Sequence, residues 1–566
     1  MRPEHHESLL VELESRVVSS LSRAAESKKG TQLDEILGDT LFQEKRRLQS
    51  ERKGTKRAQA DQAMWEVVRR GIGNASEQEL RNMLERVVHA YGHEIAGNFD
   101  ERVYSFSTRI LPPLLGVLLN AVSPRKLLRN MLGGSSSAHA LPHRSRLTEG
   151  LHVPSLSLPD LTHSVRMQGE MEHVLKLNEV GTLIFTPTHL SNLDSILLGW
   201  ALYESGLPPV LYGAGLNLFA NPVLGFFMGN LGAYTVDRRK KNWLYKEVLK
   251  NYTTLTLEYG YNNLFFPGGT RSRSGAVENH LKLGLLGTGI SAYVNNLRNG
   301  KDRPKIFVVP CTLSYQLVLE AETLIDDWLQ EAGKSRYIIT DDEFSRPKRI
   351  ADFVMHLFSL DSRIYVTLGR GYDVFGNPVD DDGTSRDPMG RAVDTAAYVT
   401  NGEGPVADPQ RDAEYTREVG QRVRQAFYSD SVVYSTHALA RVMFRLLLRH
   451  NPDLDLFRLL RTGGRDRNIE LREVYRECSL LLEQLRNLEQ QRRIRLDEDL
   501  AHADAESLVA DGLRHFAIYH TQPAVQRKGD RLFARDRNLM LYYANRLDGY
   551  GLDGVDATAP GARRLN

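Results

Sequence analysis

Apolar residues recur along this chain with two different periods. From Leu9 to Ala25, and again from Glu77 to Ala96, they return every three or four positions, which predicts amphipathic helices. From Asp160 to about Asn377, short apolar runs alternate with longer amphipathic stretches. The runs Thr182–Thr186, Pro209–Tyr212, Ala233–Val236, Asn263–Phe266, Ile306–Cys311 and Arg363–Leu368 predict strands, and Trp243–Tyr259 and Leu281–Leu297 predict helices between them. This alternation predicts an α/β domain with a central, mostly parallel sheet flanked by helices. In such sheets ligands bind beyond the carboxyl ends of the strands. Helical spacing returns at Glu414–Tyr428, Ala438–Leu448 and Leu471–Arg492.

Composition divides the chain further. Gly133–Pro159 is rich in Gly, Ser and Pro, and Asp380–Gly404 is polar and turn-rich, so both read as boundaries. The resulting regions are a helical N-terminal region, 1–104; an apolar helical hairpin with its linker, 105–159; the α/β domain, 160–395; and a helical C-terminal extension, 396–566. The hairpin core, Ile110–Val122, is broken by Pro112-Pro113 and followed by Arg125, Lys126 and Arg129. It is too short to span a bilayer, and suits either an anionic lipid interface or packing against the main domain. The basic patch from Lys45 to Lys56 reads as a solvated face.

A hydrophobic content of 41% and a charged content of 25% suit a globular chain, and a net charge of +2 makes no general case for nucleic acid. Two cysteines, Cys311 and Cys478, form neither a disulfide framework nor a zinc pattern, which fits a reducing compartment. The opening MRPEHHESLL lacks the layout of a signal peptide, and no long apolar run suggests a spanning helix. The expected location is cytoplasmic, with peripheral attachment to the inner (cytoplasmic) membrane.

The candidate chemistry sits at predicted strand ends. The strand Thr182–Thr186 runs into a polar turn with His189, Ser191 and Asn192, and a helix opens at Asp194. A carboxylate there can turn back onto the Nδ1 proton of His189 and leave Nε2 as a free base; the ordinary alternative is a loop histidine beside an N-cap. A second strand ends in Asp237-Arg238-Arg239-Lys240, and a third in Phe265-Phe-Pro-Gly268-Gly269-Thr270-Arg271-Ser272-Arg273-Ser-Gly275. Glycines let backbone approach a ligand, and arginine forks match phosphate oxygens. Val308-Val-Pro310-Cys311 is a buried strand ending in proline. No G-x-S-x-G elbow surrounds Ser191, and no H-E-x-x-H helix or carboxylate cluster of a metal-dependent hydrolase is present. The uncharged, Phe-, Leu- and Gly-rich stretch between Glu204 and Asp237 reads either as an acyl-chain channel or bilayer-facing surface, or as plain core and loop.

The four motifs, in this order, resemble those of the glycerolipid acyltransferases that carry an H-x-x-x-x-D motif. These comprise the glycerol-3-phosphate, dihydroxyacetone-phosphate and lysophosphatidate acyltransferases. The resemblance covers roughly residues 160–375, and more weakly the segments from Val432 and Leu541. It implies that His189 is the general base and Asp194 its orienting partner. It further implies that Arg238, Gly269, Thr270, Arg271, Ser272 and Arg273, with Lys282 beside them, hold the acceptor phosphate, and that Pro310 shapes the site. One departure stands out: the third block commonly reads Pro-Glu-Gly-Thr-Arg-Ser, and here Gly268 takes the glutamate position. The implied reaction moves a fatty acyl group from acyl-CoA or acyl carrier protein to glycerol 3-phosphate, with no cofactor or metal. The alternatives are a lysophosphatidate acyltransferase and a catalytically silent lipid-binding protein.

Overall fold

The computed structural model describes residues 3–26, 33–50, 56–73, 75–104, 165–216, 226, 228–332, 363–402, 404–464, 468–517 and 520–552. The apolar segment Ile110–Val122 and the linker Gly133–Pro159 lie outside the described residues.

The sheet contains β1 (Val165–Gly169), β2 (Thr182–Pro187), β3 (Leu211–Gly215), β4 (Ala233–Val236), β5 (Asn263–Leu264), β6 (Ile306–Tyr315), β7 (Ile364–Leu368) and β8 (Tyr372–Asp373). Its order is β1-β7-β6-β2-β5-β3-β4, with β8 also paired to β6. Strands β2 to β6 are mutually parallel, while β7 and β8 run against β6. The carboxyl ends of β2, β4 and β5 therefore open on one edge, and all three loops with candidate chemistry leave from it.

Two predicted elements change length for identifiable reasons. The strand expected to stop at Cys311 continues to Tyr315, because residues 311–315 find a second partner in β7. Pro310 lies where that side of β6 passes from β8, at Phe307 and Val308, to β7. Its carbonyl accepts from Gly369 N at 2.8 Å. The N–H that proline lacks thus falls at a seam between two partners, where no ladder bond is lost. The helix predicted from Leu281 starts only at Thr288, because Lys282 N donates to Pro267 O at 2.7 Å and ties this segment to the third loop.

The helices pack in two sets. α1 (Pro3–Glu26), α2 (Leu33–Ser50), α3 (Lys56–Gly71) and α4 (Glu77–Ile95) form the N-terminal region. Ser76 and Glu79 close a capping box at the start of α4. Arg47, expected on a solvated basic face, is buried and pairs with Glu44 at 2.8 Å and Asp61 at 2.5 Å. Around the sheet follow α5 (Met171–Val180), α6 (Asp194–Glu204), α7 (Trp243–Glu258), α8 (Thr288–Arg298) and α9 (Ala321–Ala332). Leu13, Val17, Val87 and Tyr91 of the N-terminal helices share a core with Leu244, Tyr245, Val248 and Tyr252 of α7.

The C-terminal extension contains α10 (Pro409–Ser429), α11 (Ser435–His450), α12 (Leu471–Gln490), α13 (Ala505–Phe516) and α14 (Arg537–Ala544). It also forms a three-stranded sheet from Asn468–Glu470, Val525–Lys528 and Arg531–Ala534, which helical spacing alone did not foresee. α11 is buried along most of its length, and its residues belong to the same core as the α/β sheet. Among the described residues, no helix is long and apolar enough to cross a membrane.

Candidate active site

The first loop is built around a buried carboxylate. Apolar β2, buried at every position, ends at Pro187, and α6 begins at Asp194, so the chain reverses within six residues. Asp194 is fully buried. Its Oδ2 accepts from His189 Nδ1 at 2.8 Å, Leu190 N at 2.7 Å and Ser191 N at 2.9 Å. Its Oδ1 accepts from the Tyr315 hydroxyl at 2.5 Å. With three donors converging on one oxygen, Nδ1 carries the imidazole proton and Nε2 holds a lone pair. Among the described residues Nε2 has no hydrogen-bond partner. The ring stacks on Phe266 with centroids 4.1 Å apart, which sets its plane.

The third loop and Glu320 together hold the first from three sides. Ser272 N donates to His189 O at 2.7 Å, and His189 N donates to Glu278 Oε1 at 2.6 Å. Glu320, fully buried just before α9, accepts from Ser191 Oγ at 2.8 Å, Asn192 N at 3.0 Å and Arg271 Nη1 at 3.2 Å. Burial raises the Glu320 carboxyl above its ordinary range, and Arg271 with the Asn192 and Ser191 bonds pulls it back in part. Arg271 is thereby aimed by a carboxylate that also grips the His189 loop. The Ser191 hydroxyl is committed to Glu320.

Gly268 and Gly269 make room for two side chains from the tail of their own loop. A Cβ at Gly268 would lie 2.5 Å from Glu278 Oε2, and one at Gly269, where φ is +74°, 2.7 Å from Lys282 Nζ. Burial pushes the Glu278 carboxyl up to about 8, and nearby Asp194 adds to the rise against the His189 bond and Arg546. A carboxyl whose folded pKa exceeds its unfolded value of roughly 4.3 keeps a proton that the unfolded chain releases, so stability falls with pH across that window. E278Q has no proton to lose. Its urea-unfolding free energy should gain on wild type as pH rises from 5.5 to 8, by at most about 1.4 kcal/mol per pH unit. A difference that stays flat with pH would remove the enclosed, protonated Glu278.

The cations of the second and third loops divide into engaged and free. Arg239 pairs with Asp237 at 2.9 Å, and buried Lys240 pairs with Glu94 of α4 at 2.5 Å and lies 4.6 Å over the Tyr91 ring. Asn242 bonds Glu44 of α2 at 2.8 Å and caps α7 through Tyr245 N. Arg273 is ion-paired with Glu331 of α9. Arg238 and Lys282, in contrast, have no carboxylate partner among the described residues. Both residues are exposed, but partial desolvation lowers both below their usual values, and Arg238 lowers Lys282 further by repulsion. Two close cations without a counter-ion are suited to a dianionic group. Thr270 is exposed nearby, and the Ser272 hydroxyl donates to Ala276 O at 2.8 Å.

The C-terminal extension closes the back of the site. Val318 N donates to the Tyr543 hydroxyl at 3.1 Å, and Asn545 Nδ2 to Ser274 O at 2.9 Å. A small cavity lies between Leu190, Gly275, Tyr315, Val318 and Tyr542. Sequence reading missed Glu278, Glu320, Tyr315 and Phe266. Two carried a visible signal: Glu320 is an acid in the otherwise apolar run Leu317–Ala321, and Glu278 lies ten residues past the glycine at the glutamate position.

Residues 170–314 match the acyltransferase family model. The glycerol-3-phosphate acyltransferase of Pseudomonas paraeruginosa is 28% identical over 214 residues, 37% of this chain and 23% of that protein. That of Pasteurella multocida is 32% identical over 198 residues, 35% of this chain and 22% of the relative. That of Actinobacillus succinogenes is 30% identical over 215 residues, covering 37% and 24%. The match thus spans less than a quarter of each relative's length.

Proposed function

We propose, from an α/β domain that belongs to the glycerolipid acyltransferase family, that this protein transfers a fatty acyl group from a thioester to a hydroxyl of glycerol 3-phosphate. The observation that carries the reading is the His189–Asp194 pair at the same sheet edge as two unpaired cations. His189 Nε2 removes the acceptor hydroxyl proton as that oxygen attacks the thioester carbonyl. The tetrahedral intermediate collapses, the carbon–sulfur bond breaks, and the leaving thiolate takes the proton back from the imidazolium. Asp194 holds the ring and stabilises its charged form. The acceptor hydroxyl is itself the nucleophile, so no acyl-enzyme is needed.

Arg238 and Lys282 hold the acceptor phosphate, with Arg271 at the junction of the two loops. Orientation of this kind supplies several kcal/mol of a barrier. R238A and K282A should each raise the acceptor KM by roughly 10-fold or more, the usual scale for a charge-assisted bond of about 1.5–3 kcal/mol, with the donor KM within twofold. A selective rise in donor KM would sink this assignment.

The donor is acyl-CoA or acyl carrier protein. Purified protein with each labelled donor, tested on glycerol 3-phosphate, dihydroxyacetone phosphate and lysophosphatidate, decides the reaction. Preference for lysophosphatidate would favour the second acyltransferase reading, and no transfer to any acceptor would favour a silent lipid-binding protein. A peripheral membrane attachment accompanies the proposal. It is supported by Ile110–Val122 beside Arg125, Lys126 and Arg129, and by exposed Phe226 and Trp243. Flotation with anionic vesicles should carry the protein upward, and recovery wholly with the soluble fraction would remove this part.

A further inference from the structure

The Glu278 carboxyl is enclosed although its residue is only half-buried: Oε2 has no solvent contact and no hydrogen-bond partner among the described residues. Oε1 accepts the backbone N–H of His189 at 2.6 Å. The same carboxyl fills the volume beside Gly268, because a Cβ there would stand 2.5 Å from Oε2, 2.8 Å from Cδ and 3.2 Å from Oε1. A side chain at 268 would therefore displace the Glu278 carboxyl from this place.

Leaving an acid enclosed with one oxygen unpaired costs free energy, so a compensating use is expected at this place. That use is the hold on the His189 backbone. That residue is held at its N–H by Glu278 and at its carbonyl by Ser272, one bond from each end of the same loop. These two bonds, with the Asp194 bond and the Phe266 stack, leave the imidazole one placement.

We propose that Glu278 is a positioning residue for the His189 base, a carboxyl delivered from ten residues downstream into the place that Gly268 leaves vacant. The claim rests on the acyl-transfer reading of His189, but the exchange it implies between positions 268 and 278 does not. Burial, with Asp194 nearby, favours the neutral form of the enclosed carboxyl, which suits a neighbour of Asp194. Lys282 reaches over Gly269 from the same tail, so the segment 278–282 serves the base and the phosphate clamp together.

The test is a reciprocal exchange. E278A should lower kcat by roughly 10- to 100-fold, the scale of a misplaced reacting group, with both KM values within threefold. E278Q keeps an oxygen for the His189 N–H and should recover much of that loss. G268E alone should be impaired by the overlap, and G268E/E278A should exceed both single variants in kcat. A double variant no better than the worse single one would overturn the proposal, as would an E278A whose loss lies wholly in KM. The His189 ring resonances, followed by NMR in the same proteins, supply a readout free of turnover. They should shift and broaden in E278A and return in the double variant. If the wild type transfers acyl groups to no acceptor while the resonances behave this way, the acyl-transfer reading fails and the positioning role stands. Unchanged resonances in E278A would overturn the positioning role whatever the activity.

Discussion

H189A should lower turnover by roughly 10²–10⁴-fold, the usual contribution of a positioned general base, while folding as the wild type does. The His189 ring is largely buried but contributes only one strong side-chain bond, to Asp194, and one stacking contact, to Phe266. Its backbone bonds to Glu278 and Ser272 survive truncation. The loop should therefore persist in the variant, and substrate binding with it. The expected pattern is a fall in kcat with acceptor KM nearly unchanged, because Arg238 and Lys282 lie on other loops. Thermal unfolding within a few degrees of wild type, measured alongside, makes the loss attributable to chemistry. Turnover like that of the wild type would remove His189 from its role, and with it the proposed reaction.

Asp194 should give the second largest effect, and its two simplest variants should differ. In D194N the three donors on Oδ2 force the amide oxygen toward them, since the NH₂ group cannot accept. The His189 tautomer is then preserved, while the charge is lost and an NH₂ group replaces the oxygen that accepts from the Tyr315 hydroxyl. Turnover should fall roughly 10²–10³-fold, within the range a general base supplies. In D194A, two backbone N–H groups, the imidazole Nδ1–H and the Tyr315 hydroxyl lose their acceptor inside the protein. Each buried donor left without an acceptor costs about 1–3 kcal/mol, so D194A should unfold at visibly lower denaturant. Turnover like that of the wild type in D194N would remove the Asp194 charge from the reaction.

How much of this was legible in the sequence depends on how local each feature is. The strand, turn and helix that bring His189 and Asp194 within one hydrogen bond follow from an apolar run, a polar turn and a second apolar run within about 20 residues. The parallel sheet follows from the same alternation repeated. What escaped is what depends on two distant segments meeting. Glu320 serves the His189 loop from more than 120 residues away, and nothing in its neighbours says which loop it will meet. Tyr315 reaches Asp194 only because β6 outruns its expected end. The start of α8 was misplaced because helical spacing from Leu281 was outweighed by the bond tying Lys282 to Pro267. Arg273 and Arg47 show the converse: cations that look free in sequence are met by Glu331 and by Glu44 with Asp61.

The anchoring of Lys240 and Asn242 by α2 and α4 has a consequence for the size of the working unit. The segment recognisable by similarity, 170–314, ends within β6 and lacks β1, β7, the N-terminal helices and α11. Cut out by itself, it would expose Leu244, Tyr245, Val248 and Tyr252 on one side and the apolar flank of β6 on the other. The loop carrying Arg238 would lose its footing two residues further on, at Lys240. A working fragment is therefore expected to extend well beyond the matched stretch, and trimming from the amino end should loosen the grip on the acceptor before it touches the base.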